Sequence, residues 1–557
     1  MRDCNAFYRA WLENPLLDEK NRAELAAIVG DEKEIEDRFY CDLAFGTGGM
    51  RGVLGAGANR INRYTVRRAT LGYARYLKEQ FGEQACVRGV VIAHDNRCMS
   101  REFCMETAGV LATEGIKTYV FEDLRPTPEL SFAVRYCHAV GGVMITASHN
   151  PPEYNGYKIY DEHGCQQLPR CTDVLTKKIH EIDPLGVPAP DLQAVGDLIQ
   201  TLGPDVDEAY YRAVLDIRLR EVDAKSLKIV YSPQHGTGNV PVREVLKRAG
   251  YRVIPVEEQC FPDRDFINTK SPNPENKEAY EMALEYAKRE GADIAITTDP
   301  DCDRLGVVAK KNGEYALLTG NQSGALLLQY ILSYHKEKGT LPANAVMCNT
   351  IVTSTLGDRV CEQYGVAVEK TLTGFKFIGD KIREWEENGE KTYMFGYEES
   401  YGCLIADFAR DKDGVQASLM LCEAAAYYKA KGQSLWDVLD ELYRTHGYFL
   451  DAVTAQTLTG ADGAEKIRAT LTALRNDPPT RAGDMAVVRV EDYLSPEMRE
   501  RGFGSSNMLR FLMEDGSWVA VRPSGTEPKC KYYYCVRGRD EADAKRKHTQ
   551  LRACFEK

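Results

Sequence analysis

DIAITTDPDCDR, residues 293–304, passes from an apolar run rich in β-branched residues into an acidic loop. The run at residues 293–297 is typical of a buried strand, and Pro300 favours a turn directly after it. Open α/β sheets bind their ligands at the carboxyl ends of strands. The segment therefore predicts a strand of such a sheet, followed at its carboxyl end by an acidic loop at a ligand-binding site.

The same transition occurs at two other places, and each is the third of three strand-like runs separated by helical stretches. The runs are residues 89–93, 117–121 and 143–146; residues 227–231, 252–256 and 293–297; and residues 345–349, 366–369 and 392–395. The polar loops that follow the third runs are residues 146–151, 298–304 and 396–402. The pattern predicts three comparable α/β units with three loops that converge on one cleft, although any α/β protein has strand-like runs at similar spacing.

The two ends of the chain do not show this repeated pattern of strand-like runs. Residues 1–40 predict surface helix, and after Gly447 a Pro-Pro loop and further strands predict a fourth, α+β domain. A length of 557 residues also exceeds what one hydrophobic core usually serves. We therefore expect the α/β class, with three similar mixed-sheet α/β domains followed by a smaller α+β C-terminal domain around a central cleft.

Composition excludes several classes of protein. A net charge of −12 argues against non-specific binding to nucleic acid or to an anionic membrane. The 17 cysteines include no C-x-x-C pair, which argues against a disulfide scaffold and a zinc ribbon. No apolar run approaches 18 residues and no secretory signal is evident at the start, so we expect a soluble, cytoplasmic protein.

The acidic loop predicts a site for a hard cation. Asp299, Asp301 and Asp303 alternate, so three carboxylates can face one ion, and oxygen ligands suit Mg²⁺. An EF-hand loop needs Gly at position six and an acidic residue at position twelve, where this chain has Arg304 and Lys310. The remaining alternative is a solvated acidic turn.

Ser148 is the candidate nucleophile, although a serine in such a loop is more often a turn or cap residue. It follows an apolar run, His149 is its neighbour, and Lys158 comes shortly afterwards. Because no G-x-S-x-G elbow exists, the combination with a metal loop favours phosphoryl over acyl transfer. His149 is either a loop contact or an acid–base group.

Three weaker motifs point to an anionic sugar ligand. Residues 522–526, RPSGT, offer a guanidinium, two hydroxyls and a flexible backbone suited to a phosphate, with Lys529 nearby; the alternative is a polar hairpin. Arg51 lies in a glycine-rich loop that could be a connector, and Glu398 and Ser400 could bind hydroxyls. No Walker A or G-x-G-x-x-G motif is present, which disfavours NTPases and dinucleotide enzymes.

Together these residues closely resemble the α-D-phosphohexomutase superfamily, in its phosphoglucomutase and phosphomannomutase group, over most of the chain. The residues at 146–151, TASHNP, resemble its phosphoserine loop, and Asp299, Asp301 and Asp303 resemble its magnesium loop. Pro300 and Cys302 stand where small glycines are common. The loop at residues 396–400 resembles the sugar-binding loop, and that at residues 522–526 resembles the phosphate-binding loop.

The resemblance implies domains at residues 1–205 (N-terminal extension and phosphoserine), 206–322 (metal-binding), 323–446 (sugar-binding) and 447–557 (phosphate-binding). It implies catalytic roles for Ser148, Lys158, Arg51 and His149, and metal ligation by Ser148, Asp299, Asp301 and Asp303. The substrate-binding residues that it implies are Arg304, Thr373, Gly374, Lys376, Glu398, Ser400, Lys412, Arg522, Ser524, Gly525, Thr526 and Lys529.

The implied activity is interconversion of glucose 1-phosphate and glucose 6-phosphate through phospho-Ser148 and an enzyme-held glucose 1,6-bisphosphate. Mg²⁺ is the implied cofactor, glucose 1,6-bisphosphate the activator, and a monomer or homodimer the implied assembly, with sugar phosphates rather than nucleic acid or membrane as partners. Phosphomannomutase, phosphopentomutase, sugar-bisphosphate synthase and a non-catalytic sugar-phosphate sensor remain alternatives.

Overall fold

A computed structural model of the chain describes residues 2–46, 49–457, 463–523 and 529–556. Contacts divide the chain into two units. The first unit comprises Met1–Leu318, Phe375–Gly389 and Tyr401–Lys431, and the second comprises Thr319–Gly374, Glu390–Ser400 and Gly432–Lys557. Among the described residues, no helix has both the length and the apolar character needed to cross a membrane.

The elements up to residue 318 are, in chain order, α1 (Cys4–Glu13), α2 (Glu19–Ala26), α3 (Glu32–Phe39), β1 (Phe45–Gly46), β2 (Gly49–Val53), α4 (Arg63–Phe81), α5 (Glu83–Arg88), β3 (Val90–His94), α6 (Ser100–Thr113), β4 (Thr118–Phe121), α7 (Thr127–Tyr136), β5 (Gly141–Ile145), β6 (Tyr154–Asp161), α8 (Pro169–His180), β7 (Ile199–Leu202), α9 (Pro204–Leu215), β8 (Lys228–Ser232), α10 (Asn239–Arg248), β9 (Arg252–Pro255), α11 (Glu281–Glu290), β10 (Ile294–Thr298), β11 (Leu305–Lys311) and β12 (Glu314–Leu318).

The elements that follow are α12 (Gly320–Lys338), β13 (Ala345–Thr350), α13 (Leu356–Tyr364), β14 (Ala367–Thr371), α14 (Phe375–Asn388), β15 (Thr392–Tyr397), β16 (Cys403–Leu404), α15 (Gly414–Ala430), α16 (Leu435–His446), β17 (Tyr448–Thr457), α17 (Gly463–Asn476), β18 (Arg481–Ala482), β19 (Met485–Asp492), α18 (Pro496–Glu500), β20 (Leu509–Met513), β21 (Trp518–Pro523), β22 (Lys529–Gly538) and α19 (Glu541–Phe555).

The prediction of three comparable α/β units, which differ from the two contact-defined units above, is confirmed. Each α/β unit has three parallel strands in the order second, first, third: β4-β3-β5, β9-β8-β10 and β14-β13-β15. Antiparallel strands extend the first two groups, with β6 beside β5 and β11 beside β10, so their sheets are mixed. In every unit the third strand lies directly beside the first, and its carboxyl end carries one of the predicted loops.

The first sheet is buried on both faces, which explains why its strands are continuous apolar runs. Val90 and Ile92 of β3 belong to a core shared with α4, α6 and α8, whereas Val91 and Ala93 belong to a core shared with α7. This alternation is the two-residue period of a strand. The sheet, ordered β1-β2-β6-β5-β3-β4-β7, therefore has helices on both sides.

The N-terminal segment is helical as predicted, but it is not merely a surface helix. It forms α1, α2 and α3, whose side chains Trp11, Leu25 and Phe39 are buried together with Tyr64 of α4. The apolar residues are too widely spaced along the chain for one amphipathic stripe, and the three short helices bring them into one small core.

The predicted α+β domain is also present. An antiparallel sheet of order β17-β22-β21-β20-β19-β18 begins at Tyr448, and α17 and α19 pack on it through Leu471 and Phe555. Helices α14 and α15, which lie within the predicted domain at residues 323–446, belong to the first unit by their contacts. The four predicted domain boundaries stay predictions.

Candidate active site

The Ser148 loop follows β5, and its backbone is held in an unusual conformation. Ser148 has φ +50°, its amide donates to Thr146 Oγ1 at 2.8 Å, and only 3% of the residue is exposed. A left-handed backbone costs a residue other than glycine about 1–2 kcal/mol. The surrounding contacts must therefore hold the loop, as is common where a backbone positions a reactive group.

The Ser148 hydroxyl lies between the acidic loop and a histidine. Its Oγ donates to Asp299 Oδ2 at 2.7 Å and lies 3.2 Å from His149 Nδ1. Partial burial, together with the cations of Arg304 and Arg51, holds the pKa of His149 well below its usual value. The serine that the sequence selects is thus in direct contact with a residue of the predicted metal loop.

The acidic loop follows β10, and its first carboxylate, that of Asp299, binds backbone amides at the end of the same loop. Asp299 Oδ1 accepts from the amides of Asp303 and Arg304 at 3.1 and 3.0 Å. Cys302 has φ +54°, which explains why glycine would be favoured at this position. Burial and the carboxylates of Asp301 and Asp303 raise the pKa of Asp299 well above its ordinary value.

The three carboxylates fit a divalent cation. One oxygen from each of Asp299, Asp301 and Asp303 lies within 4.8 Å of the other two, and all three residues are buried. Oδ1 of Asp301 and Oδ1 of Asp303 have no hydrogen-bond partner among the described residues. A buried cluster of oxygen donors with free lone pairs is the ligand set that Mg²⁺ prefers.

The opposite oxygens of the same carboxylates are held by side chains from other elements. Asp301 Oδ2 accepts from Lys158 Nζ of β6 at 2.7 Å and from Thr127 Oγ1 at 2.9 Å. Asp303 Oδ2 lies 2.9 Å from Lys412 Nζ. Asp301 and Asp303 are therefore each fixed by one carboxylate oxygen, while the other oxygen remains available.

Further predicted cations surround this cluster. Arg51 Nη1 donates to Asn150 Oδ1 at 2.8 Å, which places it on the Ser148 loop, and Arg304 Nη1 donates to Glu275 at 2.6 Å. Ser148, His149, Lys158, Arg51, Arg304, Lys412 and the three aspartates all belong to the first unit. These residues form one compact site, in which the first two of the three predicted strand-end loops meet.

Lys376 is also in the first unit, at the start of α14, but makes no described contact with this cluster. It is 4% exposed, and its Nζ has no hydrogen-bond partner among the described residues. Burial lowers the pKa of Lys376 to about 8. A buried amine of this kind has the charge and the free donors to meet an anionic ligand.

A cavity of about 500 Å³ is lined in part by the Ser148 loop. It is the right size for a small organic ligand. Its lining comes from the Ser148 loop and from the segment that precedes α11: His149, Asn150, Pro151, Pro152, Asp265, Phe266, Thr269, Lys270, Ser271, Pro272, Asn273 and Asn276.

The second unit holds the predicted hydroxyl-binding residues. Glu398 follows β15, is 5% exposed, and its Oε1 accepts from the amide of Gly374 at 3.0 Å. The loops that carry Thr373 and Gly374 on one side and Glu398 and Ser400 on the other thus meet. The neighbouring Glu399 accepts hydrogen bonds from threonine hydroxyls at the end of β13, which fixes the loop.

The predicted phosphate loop joins β21 to β22 in the same unit. Arg522 is the last residue but one of β21, Lys529 is the first residue of β22, and both are half-buried. Ser524, Gly525 and Thr526 lie outside the described residues. Both cations therefore lie within three residues of the predicted loop along the chain.

Sequence reasoning missed Thr127, whose hydroxyl and amide both donate to Asp301. Its place after β4, at the carboxyl end of a strand next to β3, is the signal that could have identified it.

Comparisons with known proteins agree with this geometry. Four family models match: Phosphoglucomutase/phosphomannomutase alpha/beta/alpha domains I, II and III at residues 42–185, 208–313 and 319–446, and the C-terminal domain at residues 480–551. The chain is 37% identical to a phosphoglucomutase of Staphylococcus haemolyticus over 89% of this chain and 91% of the relative. It is 36% identical to a phosphoglucomutase of Staphylococcus aureus over 93% and 94%.

A solved structure shares the fold. The exocytosis-sensitive phosphoprotein parafusin from Paramecium, in its open form, matches with a TM-score of 0.70 at 17% identity, over 93% of this chain and 95% of that one. With four family models and relatives above one-third identity, the chain belongs to the phosphoglucomutase/phosphomannomutase family of the α-D-phosphohexomutase superfamily.

Proposed function

We propose that this chain is a phosphoglucomutase that interconverts glucose 1-phosphate and glucose 6-phosphate through a phosphoserine at Ser148. The observation that carries the proposal is the 2.7 Å contact between Ser148 Oγ and Asp299, a member of the buried carboxylate cluster. A sensor that only binds sugar phosphates has no use for a serine in this position. The choice of glucose is supported by the curated relatives, which are named phosphoglucomutases.

Asp299, Asp301 and Asp303 would hold Mg²⁺, with Ser148 beside them. When bound, Mg²⁺ supplies positive charge that offsets the negative charge of the phosphoryl group in transfer. Lys158 and Lys412 hold the other oxygens of Asp301 and Asp303, at 2.7 and 2.9 Å, and so keep the carboxylates aligned.

The proposed transfer exchanges one phosphorus–oxygen bond for another. The bond from Ser148 Oγ to phosphorus breaks, the bond to the free sugar hydroxyl forms, and the proton of that hydroxyl ends on Ser148 Oγ. His149 Nδ1 lies 3.2 Å from this oxygen, and because its lowered pKa keeps the ring neutral, it can accept a hydrogen bond from the Ser148 hydroxyl. Turnover of the bound bisphosphate and the reverse transfer of its other phosphate complete the reaction.

The remaining predicted residues bind the substrate in this proposal. Arg51, Arg304, Lys412 and Lys376 neutralise phosphate in the first unit. In the second unit, Thr373, Gly374, Glu398 and Ser400 bind ring hydroxyls, and Arg522, Ser524, Gly525, Thr526 and Lys529 hold the phosphate that does not react. Such chemistry depends chiefly on positioning and charge neutralisation.

The test is conversion of glucose 1-phosphate to glucose 6-phosphate with Mg²⁺ and catalytic glucose 1,6-bisphosphate, followed by a coupled dehydrogenase. Ser148→Ala should reduce the rate to the blank. Ser418→Ala is the matched control, because in the described part of the chain that buried hydroxyl bonds within its own helix, to Gly414 O. Wild-type rates from Ser148→Ala would refute the phosphoserine mechanism.

Parallel assays settle the sugar preference and the assembly. We expect kcat/KM to be highest for glucose 1-phosphate; a higher value for mannose 1-phosphate or ribose 1-phosphate would reassign the substrate but keep the mechanism. Turnover should depend on added glucose 1,6-bisphosphate until Ser148 is phosphorylated. Light scattering should report a monomer or a homodimer.

A further inference from the structure

Arg97 is a buried arginine to which the mechanism above gives no role. Its guanidinium donates to three carbonyl oxygens of the loop that carries Ser148 and to the carbonyl of Tyr154, the first residue of β6. Nη2 donates to Ser148 O at 2.5 Å and to Asn150 O, and Nη1 donates to Pro151 O at 2.7 Å and Tyr154 O at 3.1 Å. One side chain therefore binds the loop at its reactive residue and at two points beyond it, and also binds the start of the strand that follows.

The loop between β5 and β6 needs such a partner. Its residues lie outside the strand ladders, so few of its carbonyls are satisfied by regular structure, and buried carbonyls without partners are costly. Ser148 also has a left-handed backbone, which the surrounding contacts must maintain. A planar guanidinium, with its donors in a fixed fork, can satisfy several carbonyls at once.

Arg97 is itself fixed from several sides. Its Nε lies 3.2 Å from Asp95 Oδ2, and neither side chain is exposed. Asp95 Oδ1 accepts from the amide of Arg97 at 2.9 Å and from Ser100 Oγ at 2.7 Å. The guanidinium carbon lies 5.1 Å from the centre of the Phe266 ring, which lines the cavity beside Ser148. The donors consequently have one orientation available.

We propose that Arg97 is a positioning residue for phosphoryl transfer: it sets the place of the Ser148 oxygen beside Asp299 by holding the carbonyls of the loop. The inference rests on the proposed function, because it concerns the same transfer. Arg97 acts through the loop backbone and not through contact with the sugar. Its removal should therefore slow the chemical step and leave substrate binding nearly intact.

Arg97→Lys is the test, because lysine keeps the charge but cannot hold four carbonyls in a planar fork. We expect kcat to fall about 100-fold, the loss that a misplacement near 1 Å causes, while KM for glucose 1-phosphate changes less than about threefold. In a single turnover, phosphoryl transfer from glucose 1,6-bisphosphate to dephosphorylated Ser148 should slow by the same factor. The final labelled fraction should match that of the wild type.

Arg68→Lys is the matched control. Arg68 is another buried arginine of the first unit, in α4, and it donates to Ile179 O at 3.1 Å, to Ile182 O at 2.8 Å and to Asp42 at 2.6 Å. Among the described residues, its hydrogen bonds do not include any to the Ser148 loop. Arg68→Lys should lower the thermal midpoint as much as Arg97→Lys does, but should leave kcat within about twofold of the wild type.

The outcomes separate this inference from the proposed function. If the wild type lacks Ser148-dependent turnover, the proposed function fails before Arg97 is examined. If the wild type is active and Arg97→Lys transfers at the wild-type rate, or lowers kcat no more than Arg68→Lys does, the positioning role is wrong.

Asp95→Asn decides the matter if Arg97→Lys does not fold. This variant retains Arg97 and one acceptor but removes the charge that orients Nε. We expect kcat to fall about tenfold with KM unchanged, because the fork is loosened but still present. Wild-type kcat from a folded Asp95→Asn would overturn the proposal.

Discussion

Replacing Lys158 with methionine tests whether this ammonium neutralises the buried carboxylate cluster. Lys158 Nζ lies 2.7 Å from Asp301 Oδ2 and 3.8 Å from Asp303 Oδ2, and its side chain is only 10% exposed. The Asp301 side chain is fully buried. Methionine has nearly the same length and fills the same space, so the change removes charge with little loss of packing.

The expected magnitude follows from burial. Removing one partner of a buried ion pair costs about 3–5 kcal/mol, because the other charge stays desolvated and uncompensated. Lys412 remains 2.9 Å from Asp303 and compensates part of the cluster, which favours the lower end of this range. We therefore expect Lys158→Met to destabilise the metal-free protein by about 3 kcal/mol.

The assay is urea-induced unfolding followed by circular dichroism, in EDTA and in excess Mg²⁺. The loss should be largest in EDTA and smaller in Mg²⁺, since a cation at the carboxylates stabilises the folded state and replaces the missing charge. Lys429→Met is the matched control. Its Nζ is also 2.7 Å from a carboxylate, that of Asp293, but the two side chains are 42% and 26% exposed, so the expected loss is about 0–1 kcal/mol.

Equal unfolding curves for Lys158→Met and the wild type in EDTA would refute this reasoning. So would a loss no greater than that of Lys429→Met, because the burial of the pair, and not its distance, sets the expected difference.

Three further predictions follow from the contacts or the burial of single residues. Glu398→Gln should lower kcat/KM about tenfold to a hundredfold, mainly through KM, because a buried charged acceptor is lost. Steady-state kinetics measure this loss, and an unchanged KM would exclude hydroxyl binding. Gly156→Ala should lower both the thermal midpoint and kcat, because its Cβ would lie 2.3 Å from Thr146 O, two residues before Ser148; unchanged calorimetry and turnover would contradict this. Lys376→Met should raise the free energy of unfolding near pH 7. The gain should shrink as pH rises from about 8 towards 10.5, because in that range the folded wild type binds fewer protons than the unfolded wild type. A gain independent of pH would show that Lys376 is not buried as described.

Much of the fold was predictable because both faces of the first sheet are covered. Continuous apolar runs such as residues 89–93 and 143–146 mark β3 and β5 without ambiguity, and the structure confirms them within one or two residues. The convergence of Ser148 and Asp299 also followed from the sequence, since both loops leave the third strand of a unit.

The partners of those residues were not predictable, because they depend on packing between distant elements. Lys158 reaches Asp301 from β6, an antiparallel strand whose register no local pattern reveals. Arg97 follows β3 and the Ser148 loop follows β5, and the two meet because the sheet order places these strands side by side. The apolar residues of the first 40 positions showed helix, but the core that they form needs Tyr64, which lies beyond them.

The most direct measurement of the central claim is a phosphoryl-transfer experiment on the enzyme itself. The purified chain is incubated with Mg²⁺ and glucose 1,6-bisphosphate labelled in its phosphates, freed of small molecules, and then mixed with unlabelled glucose 1-phosphate. The account predicts that the label resides on Ser148 by peptide mapping and leaves with the sugar phosphates at a rate no slower than turnover. Turnover without label on Ser148, or label on Ser148 that the sugar does not remove, would contradict it.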